Sequence, residues 1–451
     1  MAQFTAIDWT SRVVGRISGS RWESGLSFAR NVAVLSGGTA LAQGLNALLA
    51  PALTRLYPPE NLGQFALFTS FLNVALVGVS LKYELAVLAV RTQRKAAKLA
   101  LAAFLFAVPM SVLGAAVLFF LIHSSILGFN ALPAYASPLM VFASVFGAAF
   151  LVFRCWFVRQ EQFNLVSQAT VVQSGVRSVC QVAMGSLGLE VGGLLAGEVI
   201  GRCAGMSRMF REAWPTIRSW VFPIDRESFC EVLRENWRFP ILSFPSSVVD
   251  SLAANICIPL IVFYYGAEAG GYFALVHRVL LVPLVLVSAS VADAFHGRLA
   301  LYARDVPDRV IQLFRNTSAW LVGLGVIPAT LLFSFGEPLF RMVFGSRWAM
   351  AGKFAAVVAP LFLAQFIVSP LSRLVFVLGG QCFKLIYDVL ALASMVGVFL
   401  YSARHHLSLL QAITLLSVTG TLTYVIYYLV LIHITRQYRR IQATRVHESS
   451  T

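Results

Sequence analysis

Charge is scarce in this chain, and negative charge scarcer still. Asp, Glu, Lys and Arg make up 12% of the 451 residues, with 20 acidic against 35 basic side chains and 58% hydrophobic residues, which excludes an ordinary soluble domain. Cysteine is also sparse. The six, at 155, 180, 203, 230, 257 and 382, show no CxxC spacing, so neither a disulfide framework nor zinc is expected. No GxSxG, HExxH, Walker loop or paired-acid loop occurs, and no polar stretch is long enough for a separate catalytic domain. Enzymatic chemistry and cofactors are therefore not expected. The first 30 residues carry four arginines but no short apolar core with a cleavage site, and they read as a cytoplasmic arm before a retained helix. The strand-like alternation of a β-barrel is missing.

What the chain has is apolar length. Twelve runs of about 20 residues, each long enough to cross a bilayer as a helix, cover Asn31–Thr54, Gln64–Val87, Ala97–Leu121, Leu132–Phe153, Val166–Leu187, Val191–Phe210, Phe239–Phe263, Tyr272–Ala294, Thr317–Phe335, Phe354–Leu378, Leu385–Ser402 and Leu409–Ile432. The expected fold class is an all-α integral membrane protein of twelve transmembrane helices in two homologous six-helix bundles. The domains follow as an arm at 1–30, a first bundle at 31–212, a cytoplasmic linker at 213–238, a second bundle at 239–434 and a tail at 435–451. In the linker, Trp214-Pro215, Trp220 and Pro223 punctuate a mixed-charge stretch suited to an interfacial hinge.

Homology of the two bundles rests on a stretch that occurs twice. Tyr57-Pro-Pro-Glu60-Asn-Leu-Gly63-Gln-Phe65-Ala-Leu67 returns 208 residues later as Tyr265-Gly-Ala-Glu268-Ala-Gly-Gly271-Tyr-Phe273-Ala-Leu275, and Pro51 and Pro259 keep the same offset. Each half starts and ends on the same side, so the repeat is parallel, about an axis along the membrane normal. Two related halves facing each other point to transport, with the path between them. The motif itself reads as a turn, in which Pro58-Pro59 stops one helix and Glu60 caps the next.

Basic residues orient the chain. With the N-terminus inside, 26 of the 35 fall in cytoplasmic parts, including Arg202–Arg238 and Arg298–Arg315, and only Arg55, Arg341, Arg347, Lys353 and Arg404 fall outside. Both termini are expected in the cytoplasm. The net charge of +15 then follows from topology and contact with anionic membrane lipids, without nucleic acid. Trp348 reads as an interfacial anchor beside Arg347.

Four basic residues are left inside apolar runs: Lys82, Arg177, Arg278 and Arg373. Such side chains face a cavity, a partner or an interface. Snorkelling to the interface competes for Lys82, Arg278 and Arg373, whereas Arg177 is mid-helix. Among acids, Asp250 near the middle of the seventh run is the first candidate for coupling to a proton or sodium gradient, with an ion pair to a neighbouring arginine as the equal alternative. Glu84 is the second. Its two-residue offset from Lys82 puts the two on different helix faces and argues against a mutual pair. Glu198 with Arg202, and Lys384 with Asp388, are spaced i,i+4 and read as neutralising pairs. Asp293 reads as a solvated helix-end acid and His277 as a hydrogen-bonded packing residue.

Three stretches resemble Wzx-type polysaccharide flippases. They are Ser36-Gly-Gly-Thr-Ala-Leu-Ala-Gln43 with Pro51-Ala-Leu-Thr54-Arg55-Leu-Tyr57, then Lys82-Tyr83-Glu84-Leu85-Ala86-Val87, and Phe344-Gly345-Ser-Arg-Trp348-Ala-Met-Ala-Gly352. The resemblance spans nearly all of the chain. It implies the fold of the multidrug/oligosaccharidyl-lipid/polysaccharide exporter superfamily, with alternating access in the bacterial inner membrane. The implied cargo is an undecaprenyl-diphosphate-linked glycan flipped to the periplasmic leaflet for O-antigen, capsule or exopolysaccharide, and the implied partners are a polymerase and chain-length machinery. Such cargo needs a cation-lined cavity, for which Lys82, Arg177, Arg278 and Arg373 are the substrate-binding candidates. Two rival readings stand beside it: an ion-coupled multidrug exporter of the same superfamily, and an embedded polymerase or acyltransferase. A cationic drug would favour an acidic cavity, so the four basic residues weigh towards anionic cargo.

Overall fold

The computed structural model describes residues 23–221, 226–306 and 308–450. Expectations resting on residues 1–22, on Pro223 and on the side chains of Asp293 and Cys382 lie outside the described residues. The five described cysteines are all free.

Pro58 and Pro59 set the first hairpin. Pro58 sits at the N-cap with φ −65° and ψ 161°, and Pro59 occupies the first turn, where its missing N–H is no loss, so α1 (Glu23–Leu56) ends and α2 (Pro59–Gly78) begins. The first half continues through a short α3 (Tyr83–Ala89), then α4 (Gln93–His123), α5 (Ala136–Arg159), α6 (Phe163–Ser186) and α7 (Glu190–Val221). After α8 (Arg226–Glu235) come α9 (Phe244–Asn255), α10 (Cys257–Asp305), α11 (Asp308–Phe344), α12 (Ala349–Leu371), a short α13 (Leu374–Leu378), α14 (Gln381–Arg404) and α15 (Leu409–Ser450). The predicted linker at 213–238 thus begins inside α7.

The 49 residues of α10 would make a rod of about 70 Å, more than twice the thickness of a hydrocarbon core. Gly266, at φ 86° and ψ 169°, breaks it into two crossings. With that break, the long helices make twelve crossings, six on each side of α8. Eight stretches are apolar and long enough to span by composition alone, and α1, α6 and α7 are not among them. Those three helices carry Asn46, Arg177, Glu198 and Arg202, and they build the polar centre.

Two predicted runs are interrupted. Gln64–Val87 leaves the helix after Gly78, with Leu81 and Lys82 in the left-handed region at φ 50° and 64° before α3 starts. Phe354–Leu378 breaks at Ser372 and Arg373, between α12 and α13. Helices α6 and α7 lie close because Gly193, Gly197, Gly201 and Gly205 recur every fourth residue. A Cβ on any of the four would come within 2.8 Å of Tyr57, Gln181, Arg177 or Gln173.

Candidate functional site between the two halves

The twice-occurring motif forms the seam between the halves. Gly63 of α2 and Gly271 of α10 are in register: a Cβ on Gly63 would lie 1.7 Å from the Ala267 carbonyl oxygen, and one on Gly271 would lie 1.8 Å from that of Pro59. Only glycine allows two backbones to meet this way. The motif is therefore more than a turn. Its tyrosines act alike, since the Tyr57 hydroxyl donates to the Gln181 carbonyl at 2.7 Å and that of Tyr265 to the Leu407 carbonyl at 3.2 Å. Trp348 corrects the interfacial reading: it is 0% exposed, and its Nε1 donates to the Thr54 carbonyl at 2.9 Å, tying the halves together.

Beside the seam lies a cavity of about 280 Å³ walled by α1, α2, α9 and α10, two helices from each half. Arg278, His277, Asn73 and Asn255 line it, and Asn73 Nδ2 donates to Asn255 Oδ1 across it at 3.1 Å. His277 carries its ring 6.5 Å from that of Phe273.

Behind Arg278 stands a charged cluster. The Glu198 carboxylate, 1% exposed, accepts from Arg202 Nε at 2.8 Å and from Arg177 Nη1 at 3.4 Å. Arg177 Nη2 also donates to Asn46 Oδ1 at 2.8 Å, where Ser174 and Ser178 hydroxyls converge at 2.9 and 3.1 Å. Spacing on α6 explains this, because residues 174, 177 and 178 share one face. Asn46 is the joint between halves: its side chain holds Arg177, while its backbone carbonyl accepts from Arg278 Nη2 of α10 at 3.2 Å. Two guanidinium groups, Arg177 and Arg202, thus share one carboxylate, and a third, Arg278, joins them through Asn46; of the three, Arg278 lines the cavity. Among the described residues no other acid touches them.

Of the four basic residues expected in one cavity, only Arg177 and Arg278 come together. Lys82 lies elsewhere, at the break before α3, with Nζ 4.0 Å from Glu84 Oε1; the pair argued against on helix geometry exists because the helix is broken there. Glu84 also accepts from the Ser80 hydroxyl and is 4% exposed. Arg373 is half-buried at the α12–α13 break, outside the lining of the central cavity. Asp250 is exposed on α9, one turn before cavity-lining Ala254, and has no ion pair among the described residues, so the pairing with arginine is not formed. Lys384 and Asp388 do pair, at 2.6 Å. Arg202, counted with the cytoplasmic basic residues, is instead a member of the cluster, its side chain 13% exposed. Asn46 was not singled out by the sequence; the signal that could have found the cluster is the four-residue glycine spacing around Glu198 and Arg202.

Comparison with solved structures shows the same fold. A lipid II flippase MurJ in an inward closed conformation is 13% identical, with 92% of this chain and 99% of that chain covered, at a TM-score of 0.66. A multidrug resistance MATE family transporter of the MOP superfamily, inward-facing, is 13% identical, with 88% and 96% covered, at 0.61. The Vibrio cholerae MATE transporter VcmN in the bent form is 14% identical, with 92% and 99% covered, at 0.52. The chain thus shares its fold with these three transporters. No curated protein matches the chain in sequence. A family model described as "Polysaccharide biosynthesis protein" matches residues 52–353, and the chain belongs to that family.

Proposed function

We propose that the protein flips an undecaprenyl-diphosphate-linked oligosaccharide from the inner to the outer leaflet of the bacterial inner membrane, for surface polysaccharide. The observation that supports this reading above others is Arg278 in the lining of a cavity between the halves, joined through Asn46 to Arg177 and Arg202, which share a single carboxylate. Buried positive charge in excess of its partners calls for an anion. A diphosphate supplies two or more negative charges and takes Arg in bidentate geometry.

A volume of 280 Å³ holds about nine water molecules, which suits a head group and not a glycan. Transport therefore requires the halves to part. The contacts that must break include Arg278 to Asn46, Asn73 to Asn255, Ser251 to Asn73 and Trp348 to Thr54, each a neutral or single charge-assisted bond of about 1–3 kcal/mol. A diphosphate bound by Arg278 replaces its bond to the Asn46 carbonyl, so binding itself loosens the joint. The prenyl chain stays in lipid. No bond in the cargo is made or broken, and polymerase and chain-length proteins act on the flipped product. Deletion of the gene tests the reading: the lipid-linked oligosaccharide should accumulate on the cytoplasmic face and be cleared by the wild-type gene. Normal surface polysaccharide in the deletion strain would sink it.

A further inference from the structure

A second cavity, about 740 Å³, lies wholly within the C-terminal half and shares no lining residue with the central one. It is formed where the end of α10 runs antiparallel to the start of α11. Towards the turn between the helices stand Tyr302, Arg298, Arg309 and Gln312; away from it stand Phe295 and Val291 on α10 and Asn316, Thr317 and Trp320 on α11. The apolar runs end at Ala294 and resume at Thr317, so the arginines stand just outside the spans, and Trp320, about 16 Å farther along the helix than Arg309, lies in the first turn of the crossing. Arg298 and Arg309 make no ion pair among the described residues, and Trp320 is 55% exposed. The lining is thus cationic outside the span and, past Asn316 and Thr317, ends on Trp320 at the membrane boundary, and its volume lies in the range of ordinary ligand sites.

We propose that this cavity is a binding site for one anionic phospholipid of the leaflet on its own side. The phosphate sits between Arg298 and Arg309, within reach of the polar groups of Tyr302 and Gln312, and one acyl chain lies along Phe295, Leu313 and Trp320. Two guanidinium groups with no ion-pair partner among the described residues, at a membrane boundary, are the chemistry that favours a head group of net negative charge over a zwitterionic one. The site does not rest on the cargo proposed above. A prenyl diphosphate has the same combination of phosphate and chain, so the test includes both lipids.

Native mass spectrometry of the full-length protein, released from detergent and titrated with palmitoyl-oleoyl phosphatidylglycerol or the matching phosphatidylcholine, reads the site directly. The wild type should bind its first phosphatidylglycerol more tightly than phosphatidylcholine. The Arg298→Gln/Arg309→Gln variant should bind it roughly 30-fold more weakly, whereas Arg341→Gln, a basic residue elsewhere in the same half, should not change it. Trp320→Leu should weaken both lipids alike. Undecaprenyl diphosphate, added in a separate titration, identifies the source: dependence on Arg298 and Arg309 for phosphatidylglycerol alone supports a resident membrane lipid, and dependence for the prenyl lipid alone overturns that assignment in favour of a cargo route. Binding of both lipids by the double variant as by the wild type overturns the site itself. Both arginines are exposed, and a symmetric elution profile verifies that the variant is folded.

Discussion

Glu198 is the keystone of the charged cluster, and the consequence of neutralising it can be worked from the distances. At an effective dielectric of about 20, a unit-charge contact near 3 Å is worth about 5 kcal/mol before desolvation. Glu198 makes two, to Arg202 at 2.8 Å and Arg177 at 3.4 Å. Removing one partner of a buried pair leaves its counter-charge stranded, a net loss of about 3–5 kcal/mol. Glu198→Gln strands two arginines, with Arg278 bonded to the same Asn46, and should fall at the upper end of that range. Arg177→Ala behaves differently. Glu198 keeps Arg202, the i,i+4 pair stays neutral, and the loss is the hydrogen bonds to Asn46 and Glu198, about 1–3 kcal/mol. The double variant Arg177→Ala/Glu198→Gln should therefore be less destabilised than the sum of the singles, because one of the stranded charges is gone. Thermal unfolding of the purified protein, followed by loss of its size-exclusion peak, measures the order: wild type, then Arg177→Ala, then Glu198→Gln. A Glu198→Gln protein as stable as wild type, or strictly additive singles, would refute the electrostatic account of the cluster.

Export should separate from stability at Arg177: Arg177→Ala should abolish polymer export at normal membrane abundance while Arg177→Lys retains part of it, and full export by the alanine variant would make Arg177 a bystander. At the seam, Gly63→Ala and Gly271→Ala each force a methyl group onto a backbone carbonyl and should lose export, whereas Gly323→Ala, with open space at its Cβ, should not; tolerance of both seam substitutions would contradict the close approach of α2 and α10. Cysteines introduced as Arg94→Cys and Ser228→Cys should resist an impermeant thiol reagent in intact spheroplasts while Asn61→Cys and Ser346→Cys label, and external labelling at 94 would reverse the orientation. An inside-negative potential favours outward movement of an anion by about 2.3 kcal/mol per charge per 100 mV. In proteoliposomes it should speed flipping, and indifference to the imposed potential would remove the electrogenic step.

Most of the crossings were legible because lipid leaves the backbone no alternative to helix and eight stretches are apolar enough to show it by composition alone, whereas α1, α6 and α7 carry the polar centre and stand out less. The repeated motif was equally visible, but its work was not. What Gly63 and Gly271 do depends on a contact between residues 208 apart, and a local reading of Pro58 and Pro59 sees only a turn. Arg177 stood out because a mid-helix guanidinium cannot snorkel and needs either a cavity or a buried partner, and the structure shows the partner, Glu198. Arg202 and Asn46 did not, since one lies where a basic loop was expected and the other is an uncharged residue whose role comes from two helices converging on it. Lys82 shows the reverse error. Helix-face arithmetic separated it from Glu84, and the left-handed residues at 81 and 82, neither of them glycine, brought the two back together.

The most direct measurement of the central claim is flipping of undecaprenyl-diphosphate-linked oligosaccharide by the purified protein in proteoliposomes, read by access of an external glycan-modifying enzyme to cargo loaded on one side. The account predicts movement by the wild type, loss in Arg177→Ala and in Arg278→Ala, and no uptake of a cationic dye under the same gradients. Dye transport without lipid flipping, or flipping that both arginine variants retain in full, would contradict it.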